Sequence, residues 1–198
     1  MKKYRLWLIV LPMLLIAPLV IGCGELGQVD QGRVVAYDKD KKTVTIIQDK
    51  KAEPGKPDYN TLPPHVYAMP ADLGEIGAEP KAGKRMSLDT KTNTITIFDA
   101  ETKDFKKIPI TVLDEKKDVS KDNPLVKDQK FPLVDKDKKK ITVYSGRQKL
   151  LLTFTVPEEN FSLPEDSWDA GDEVRIYYHK PGVAQRFMNI SKTDIFKK

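Results

Sequence analysis

Cysteine and histidine are nearly absent from the chain: Cys23 is the single cysteine, and His65 and His179 are the two histidines. One cysteine excludes an internal disulfide framework and any metal site built on several thiolates. Two histidines leave little material for catalytic zinc or bis-histidine haem ligation. Long apolar runs are also scarce. The longest, residues 6–21, is uncharged over 16 residues but interrupted by Pro12 and Pro18, short of the ~20 residues of a spanning helix. A mean hydropathy of -0.47 excludes a multi-span membrane protein. Catalytic motifs are missing as well: there is no Gly-x-Ser-x-Gly and no His-Glu-x-x-His. Residues 77–85 superficially look like a phosphate loop. Their spacing is one residue too long, Arg85 replaces Ser or Thr, and no helical pattern follows. The Asp-Lys-Asp segments lack the Gly and closing Glu of a calcium hand. Neither an enzymatic activity nor a cofactor is therefore expected.

What is present begins with charge. Lys and Arg number 34 and Asp and Glu 29, for a formal net of +5. Lys2, Lys3 and Arg5 fall in an expected leader. Without those three, 31 basic residues face 29 acidic ones, a net of +2. Both signs are interspersed, as on a solvated surface, so no nucleic-acid partner is expected.

Residues 1–22 read as a signal peptide: a short basic start, then the apolar run. Val20-Ile21-Gly22-Cys23 resembles the bacterial lipobox. That resemblance implies cleavage before Cys23 and a diacylglycerol on its thiol, which makes the membrane the first partner. Gly24 in place of Asp favours the outer membrane where a cell has two, facing the periplasm or the cell surface. Residues 23–32 are expected to be a lipidated tether of at most about 30 Å past the cysteine.

A repeat organises the remainder. Asp38-Lys-Asp-Lys-Lys-Thr-Val44-Thr-Ile46 matches Asp135-Lys-Asp-Lys-Lys-Lys-Ile141-Thr-Val143, and Asp89-Thr-Lys-Thr-Asn-Thr-Ile95-Thr-Ile97 is a third copy. The alternation puts Val44 and Ile46, and their equivalents, on one buried face. The Asp suits a hairpin turn that its carboxylate caps. A fourth hairpin runs through Pro181-Gly182. The pattern hairpin, strand, Pro70, then Ala82-Gly83-Lys84 opening another hairpin recurs as hairpin, strand, Pro157, then Ala170-Gly171-Asp172. This order predicts an all-β chain of two tandem, five-stranded OB-like barrels, residues 33–99 and 131–198, joined by a connector at 100–130. The alternative is one larger antiparallel barrel or sandwich. One helical turn is expected between Asp72 and Glu79. The Pro-rich loop at 49–64 has no counterpart in the second half and is a candidate functional insertion.

The strand order resembles the periplasmic copper-chaperone barrels, which ligate copper through His, Met and Trp. The nearest material is His65 and Met69, on one face of a predicted strand with Tyr67. The mature chain also resembles a family of small bacterial envelope lipoproteins with no assigned activity. The stretches that carry this are Cys23-Gly-Glu-Leu-Gly, Tyr144-Ser-Gly-Arg-Gln148, Trp168-Asp-Ala-Gly-Asp172 and Asn189-Ile-Ser-Lys-Thr-Asp-Ile-Phe196.

Residues 157–173 hold seven carboxylates and no Lys or Arg. Glu158, Glu159, Glu165, Asp166 and Asp169, around Trp168, form a candidate surface for a basic partner; the alternative is a solvated loop with Phe161, Leu163 and Trp168 plugging the open end of the barrel. The expected function is a non-enzymatic scaffold or accessory subunit that binds another envelope protein. The alternative is a protein that binds a small ligand or a metal ion, copper or calcium.

Overall fold

The computed structural model describes residues 26–53 and 55–193. Twelve strands carry the fold: β1 (Gln28–Asp38), β2 (Thr43–Gln48), β3 (His65–Ala68), β4 (Arg85–Asp89), β5 (Thr94–Asp99), β6 (Asp104–Pro109), β7 (Thr111–Lys116), β8 (Leu133–Asp135), β9 (Lys140–Ser145), β10 (Leu150–Thr155), β11 (Glu173–Tyr178) and β12 (Ala184–Asn189). Three 3-10 turns, at Leu73–Glu75, Glu158–Asn160 and Glu165–Ser167, are the only helical pieces among the described residues. The first lies inside the predicted turn region, where Asp72 caps Gly74 N–H at 2.8 Å. The chain is all-β, as its alternation requires.

The hairpin turns share one construction. Asp38, Asp89 and Asp135 accept the N–H of Lys41, Lys91 and Lys138 at 2.8–2.9 Å. The residue four positions after each Asp is left-handed: Lys42, Asn93 and Lys139, at φ 51, 51 and 49. Two further hairpins follow the same rule, with Lys103 after Asp99 and Lys149 after Ser145, at φ 56 and 48. A turn closed by a left-handed residue matches the right-handed twist of its strands. The turn N–H of Lys41 holds the Asp38 carboxyl below the usual carboxylate range. That contribution to stability is present above pH 3.8 and is lost as pH falls through the lowered value. Lysine in the left-handed region costs roughly 1 kcal/mol that glycine avoids. Lys103→Gly and Lys149→Gly are each expected to stabilise the protein by about that amount in urea unfolding. A loss of stability in both would overturn this account of the turns.

The strands assemble differently from two tandem barrels. The outer sheet runs β12-β11-β1-β2-β3. It joins the first hairpin and third strand to the last hairpin of the chain, with β1 antiparallel to β11 from Gln28↔Tyr178 to Arg33↔Glu173. The sheet curls until Ala68 meets Val183 in a single parallel bridge, without a continuous ladder closing it into a barrel. Between these parts lies an inserted unit, residues 84–170. Its two sheets, β4-β5-β6 and β7-β10-β9-β8, pack face to face over a core that includes Ile95, Ile97, Ile108, Ile141, Leu152 and Phe154. The outer sheet has its own core, with Val34, Ile46, Val174, Ile176 and Phe187. The expected modules at 33–99 and 131–198 are thus replaced by a nested arrangement.

The reason is visible at two similar tripeptides. Ala82-Gly83-Lys84 and Ala170-Gly171-Asp172 do not open equivalent hairpins in separate modules. They lie against each other, bridged between Lys84 and Ala170, and are the two crossings into and out of the insertion. Gly83 N–H donates to Val34 O (3.1 Å), Val34 N–H to Asp172 O (2.9 Å) and Asp172 N–H to Lys81 O (2.8 Å). Residues 100–130 are not a mere connector either: β6 and β7 meet at buried Ile110, where the chain passes from one sheet of the sandwich to the other. Within the expected tether, Gln28 to Gly32 are strand, because Asp30 is buried and hydrogen-bonded.

Candidate functional site

The outer sheet and the insertion enclose a cleft of about 730 Å³. Arg33 enters it from β1 and Arg85 from the start of β4. The β9–β10 turn brings Arg147, and the loop at 49–64 brings Lys56 and Tyr59. That loop is held at its neck by Asp49, whose Oδ1 accepts N–H from Asp58 (2.7 Å) and Lys51 (3.2 Å). Tyr59 packs into a small core with Val35, Ile47, Met86 and Phe98 that joins the two units. The loop thus supplies one wall of the cleft through Lys56 and Tyr59.

The cleft is electropositive at its floor. Arg33 Nη1 donates to the carbonyls of Arg85 (2.9 Å) and Met86 (2.8 Å), and its guanidinium carbon lies 4.3 Å from the centre of the Tyr59 ring. Its Nε has no partner. Arg85 is only 6% exposed, and its Nε is also unpaired. Burial, aided by the neighbouring Arg33 charge, pulls the Arg85 pKa down to about 10, with Asp169 acting the other way. Asp169 is itself held by Lys81. Burial likewise lowers the pKa of Arg33 and raises that of Tyr59 against the pull of the neighbouring Arg33 and Arg147; the buried Tyr59 hydroxyl makes no hydrogen bond of normal geometry. Arg147, by contrast, is neutralised: its Nη2 lies 2.7 Å from Glu173 Oε2, and Gln31 holds the other oxygen at 2.7 Å. Arg85 is buried and Arg33 half-buried, and the acids nearest them, Asp169 and Glu173, are paired with Lys81 and Arg147, so the two guanidiniums are costly to maintain. Chemically, the arrangement presents guanidinium N–H donors and positive charge toward the cleft.

Residues 25–198 match the family model described as a domain of unknown function (DUF4881). The chain belongs to the DUF4881 family. No curated protein and no solved structure matches it.

The DUF4881 fold rearranges the acidic segment read from the sequence. Glu158 pairs with Lys139 at 2.6 Å, Asp166 with Lys84 at 3.2 Å, and Asp172 with Lys192 at 3.3 Å. Asp169 and Glu173 are engaged as described. Of the seven carboxylates, Glu159 and Glu165 alone have no ion-pair partner among the described residues. Trp168, expected as an apolar contact for a partner, is 1% exposed. It packs edge-on against Phe154, ring centres 6.2 Å apart, and fills the sandwich core. The intervening 3-10 turns fold this segment inward, which its charge density hid.

His65 and Met69 do share the inward face of the outer sheet with Tyr67, but they serve its packing. Nδ1 of His65 lies 2.7 Å from Asp30 Oδ2, Tyr67 donates to the same oxygen, and Gln48 Nε2 donates to Oδ1 at 2.9 Å. Met69 is buried in the outer core. Among the described residues, no group of three or more His, Cys, Asp or Glu side chains is placed to hold a metal ion. Cys23 and the signal peptide lie outside the described residues.

Arg33 and Arg85 escape a sequence reading because they are 52 positions apart and belong to no motif. The available signal is weaker: each is a cation directly preceding buried strand residues, Val34 and Val35 in one case and Met86 in the other. An Arg at the edge of an apolar strand reads as a surface residue unless something packs over it.

Proposed function

We propose that this protein is a lipid-anchored component of the bacterial envelope, tethered through Cys23, that binds a small anionic ligand non-enzymatically in the cleft between outer sheet and insertion. The observation that carries the reading is Arg85: a buried guanidinium with an unpaired Nε, beside a second guanidinium, Arg33, whose Nε is also unpaired. A purely structural residue at this position would be apolar or paired, since an unpaired buried charge destabilises the folded state. The cleft's volume falls in the ordinary range for small-molecule sites. A protein-docking role for residues 157–173 draws less support, because most of their charge is satisfied internally and Trp168 is buried.

The test uses Arg85→Met in the full chain, kept in detergent. Loss of saturable anion binding in calorimetry should accompany a gain in stability of about 1–2 kcal/mol for the ligand-free protein. A variant that is destabilised and binds anions as before would place Arg85 in the scaffold and end this reading. The anchor is tested separately: Cys23→Ser should abolish lipid labelling and membrane retention, and a variant processed and retained as before would refute it.

A further inference from the structure

Deepening the anion-binding reading on which it rests, we propose that the ligand's charged group is a single dianionic oxyanion of the phosphate or sulfate class. It is clamped between Arg33 of the outer sheet and Arg85 of the insertion, with the Tyr59 hydroxyl as a third donor.

Charge balance selects the dianion. The acids nearest Arg85 and Arg33 are Asp169 and Glu173, and these are already paired with Lys81 and Arg147, so two guanidinium charges on the cleft floor are left over. A monoanion leaves one of the two charges uncompensated, and a dianion answers both. Donor inventory agrees. Arg33 Nε, Arg85 Nε and the Tyr59 hydroxyl are buried polar atoms without partners, and their residues line one cleft. Buried donors in folded proteins are nearly always satisfied, so three together mark the place of an acceptor group with several oxygens. Guanidiniums match such oxyanions through parallel N–H groups. Lys56 and Lys121, both exposed, stand at the rim and raise the local anion concentration.

The three donors come from three separate parts of the chain. Arg33 belongs to β1, Arg85 follows the first crossing into the insertion, and Tyr59 sits on the loop at 49–64. One bound group thus contacts both units and the loop that joins them.

The experiment is calorimetry on the full chain in detergent at fixed ionic strength, with sulfate, methyl sulfate, inorganic phosphate, phenyl phosphate, succinate and acetate. Sulfate and phosphate should bind at least about tenfold more tightly than methyl sulfate, which keeps the sulfur centre but loses one charge. They should exceed acetate and succinate similarly, since succinate splits its charges between two groups. Phenyl phosphate binding more tightly than phosphate assigns an ester as the ligand, and the reverse assigns the free ion. Methyl sulfate within twofold of sulfate, or succinate equal to phosphate, overturns the dianion while leaving the anion cleft standing. No saturable binding of any probe overturns both. Arg33→Gln and Arg85→Gln should each weaken sulfate binding about tenfold or more, and Tyr59→Phe by a smaller factor with an unchanged melting temperature. Sulfate binding unaffected by Arg33→Gln and Tyr59→Phe places the ion elsewhere and overturns the proposal.

Discussion

Gly171→Ala is expected to destabilise the protein by about 3–5 kcal/mol, more than alanine at any other glycine among the described residues. A Cβ at Gly171 would overlap the carbonyl oxygen of Val34 and crowd the backbone nitrogen of Gly83. Both obstacles are backbone, so no side chain can rotate away. Relief requires the two crossing strands to part, which breaks the bonds from Gly83 N–H to Val34 O and from Val34 N–H to Asp172 O. Gly55→Ala is the comparison. Gly55 has φ +78 but open space around it, so alanine there costs only about 1 kcal/mol of conformational strain. Urea unfolding of the two variants separates a steric requirement from a conformational one. Equal costs would mean that the crossing strands are not in close contact in solution.

Trp168→Ala should cost about 3–5 kcal/mol, as truncation of a fully buried aromatic does. Trp168 packs with Phe154, Ile141 and Leu152 in the core of the insertion. Loss of near-ultraviolet dichroism and a lowered urea midpoint are the expected readouts. A cost under about 1 kcal/mol would show the side chain to be solvated and free to serve as an apolar contact for a partner.

Local features were legible in the sequence and the assembly was not. The capping Asp residues at 38, 89 and 135 announce their turns because carboxylate and N–H are separated by only three residues or fewer. The alternation of Val44 and Ile46, or Ile141 and Val143, likewise fixes which side is buried. Which hairpin completes which sheet depends on contacts across the whole chain, and Gly83 and Gly171 each follow an alanine for a reason periodicity cannot express. The Ala-Gly steps look like a duplication because both strands of one crossing need the same small residues. At the candidate site, the loop at 49–64 stood out by composition. The arginines it covers did not, since their meaning lies in how the nearby acids Asp169 and Glu173 are taken up by Lys81 and Arg147. Acidic residues 157–173 failed in the opposite direction: a charge run is conspicuous, but its partners Lys81, Lys84, Lys139, Arg147 and Lys192 are scattered along the sequence.

The nested topology also sets an order for folding. Tyr178 bonds to Gln28 across 150 positions, and Glu173 to Gln31 across 142. Whether the chain emerges from a ribosome or across a membrane, amino terminus first, β1 is exposed long before β11 follows it. Throughout that interval its outer edge is unpaired and open to pairing with another chain. The insertion has no such delay, because its two sheets draw on a continuous stretch of sequence. Once formed, it holds residues 83 and 171 side by side and shortens the remaining closure from a long loop to a short one, lowering its entropic cost. The part of the molecule that interrupts the outer sheet in sequence is thus the template on which that sheet is completed.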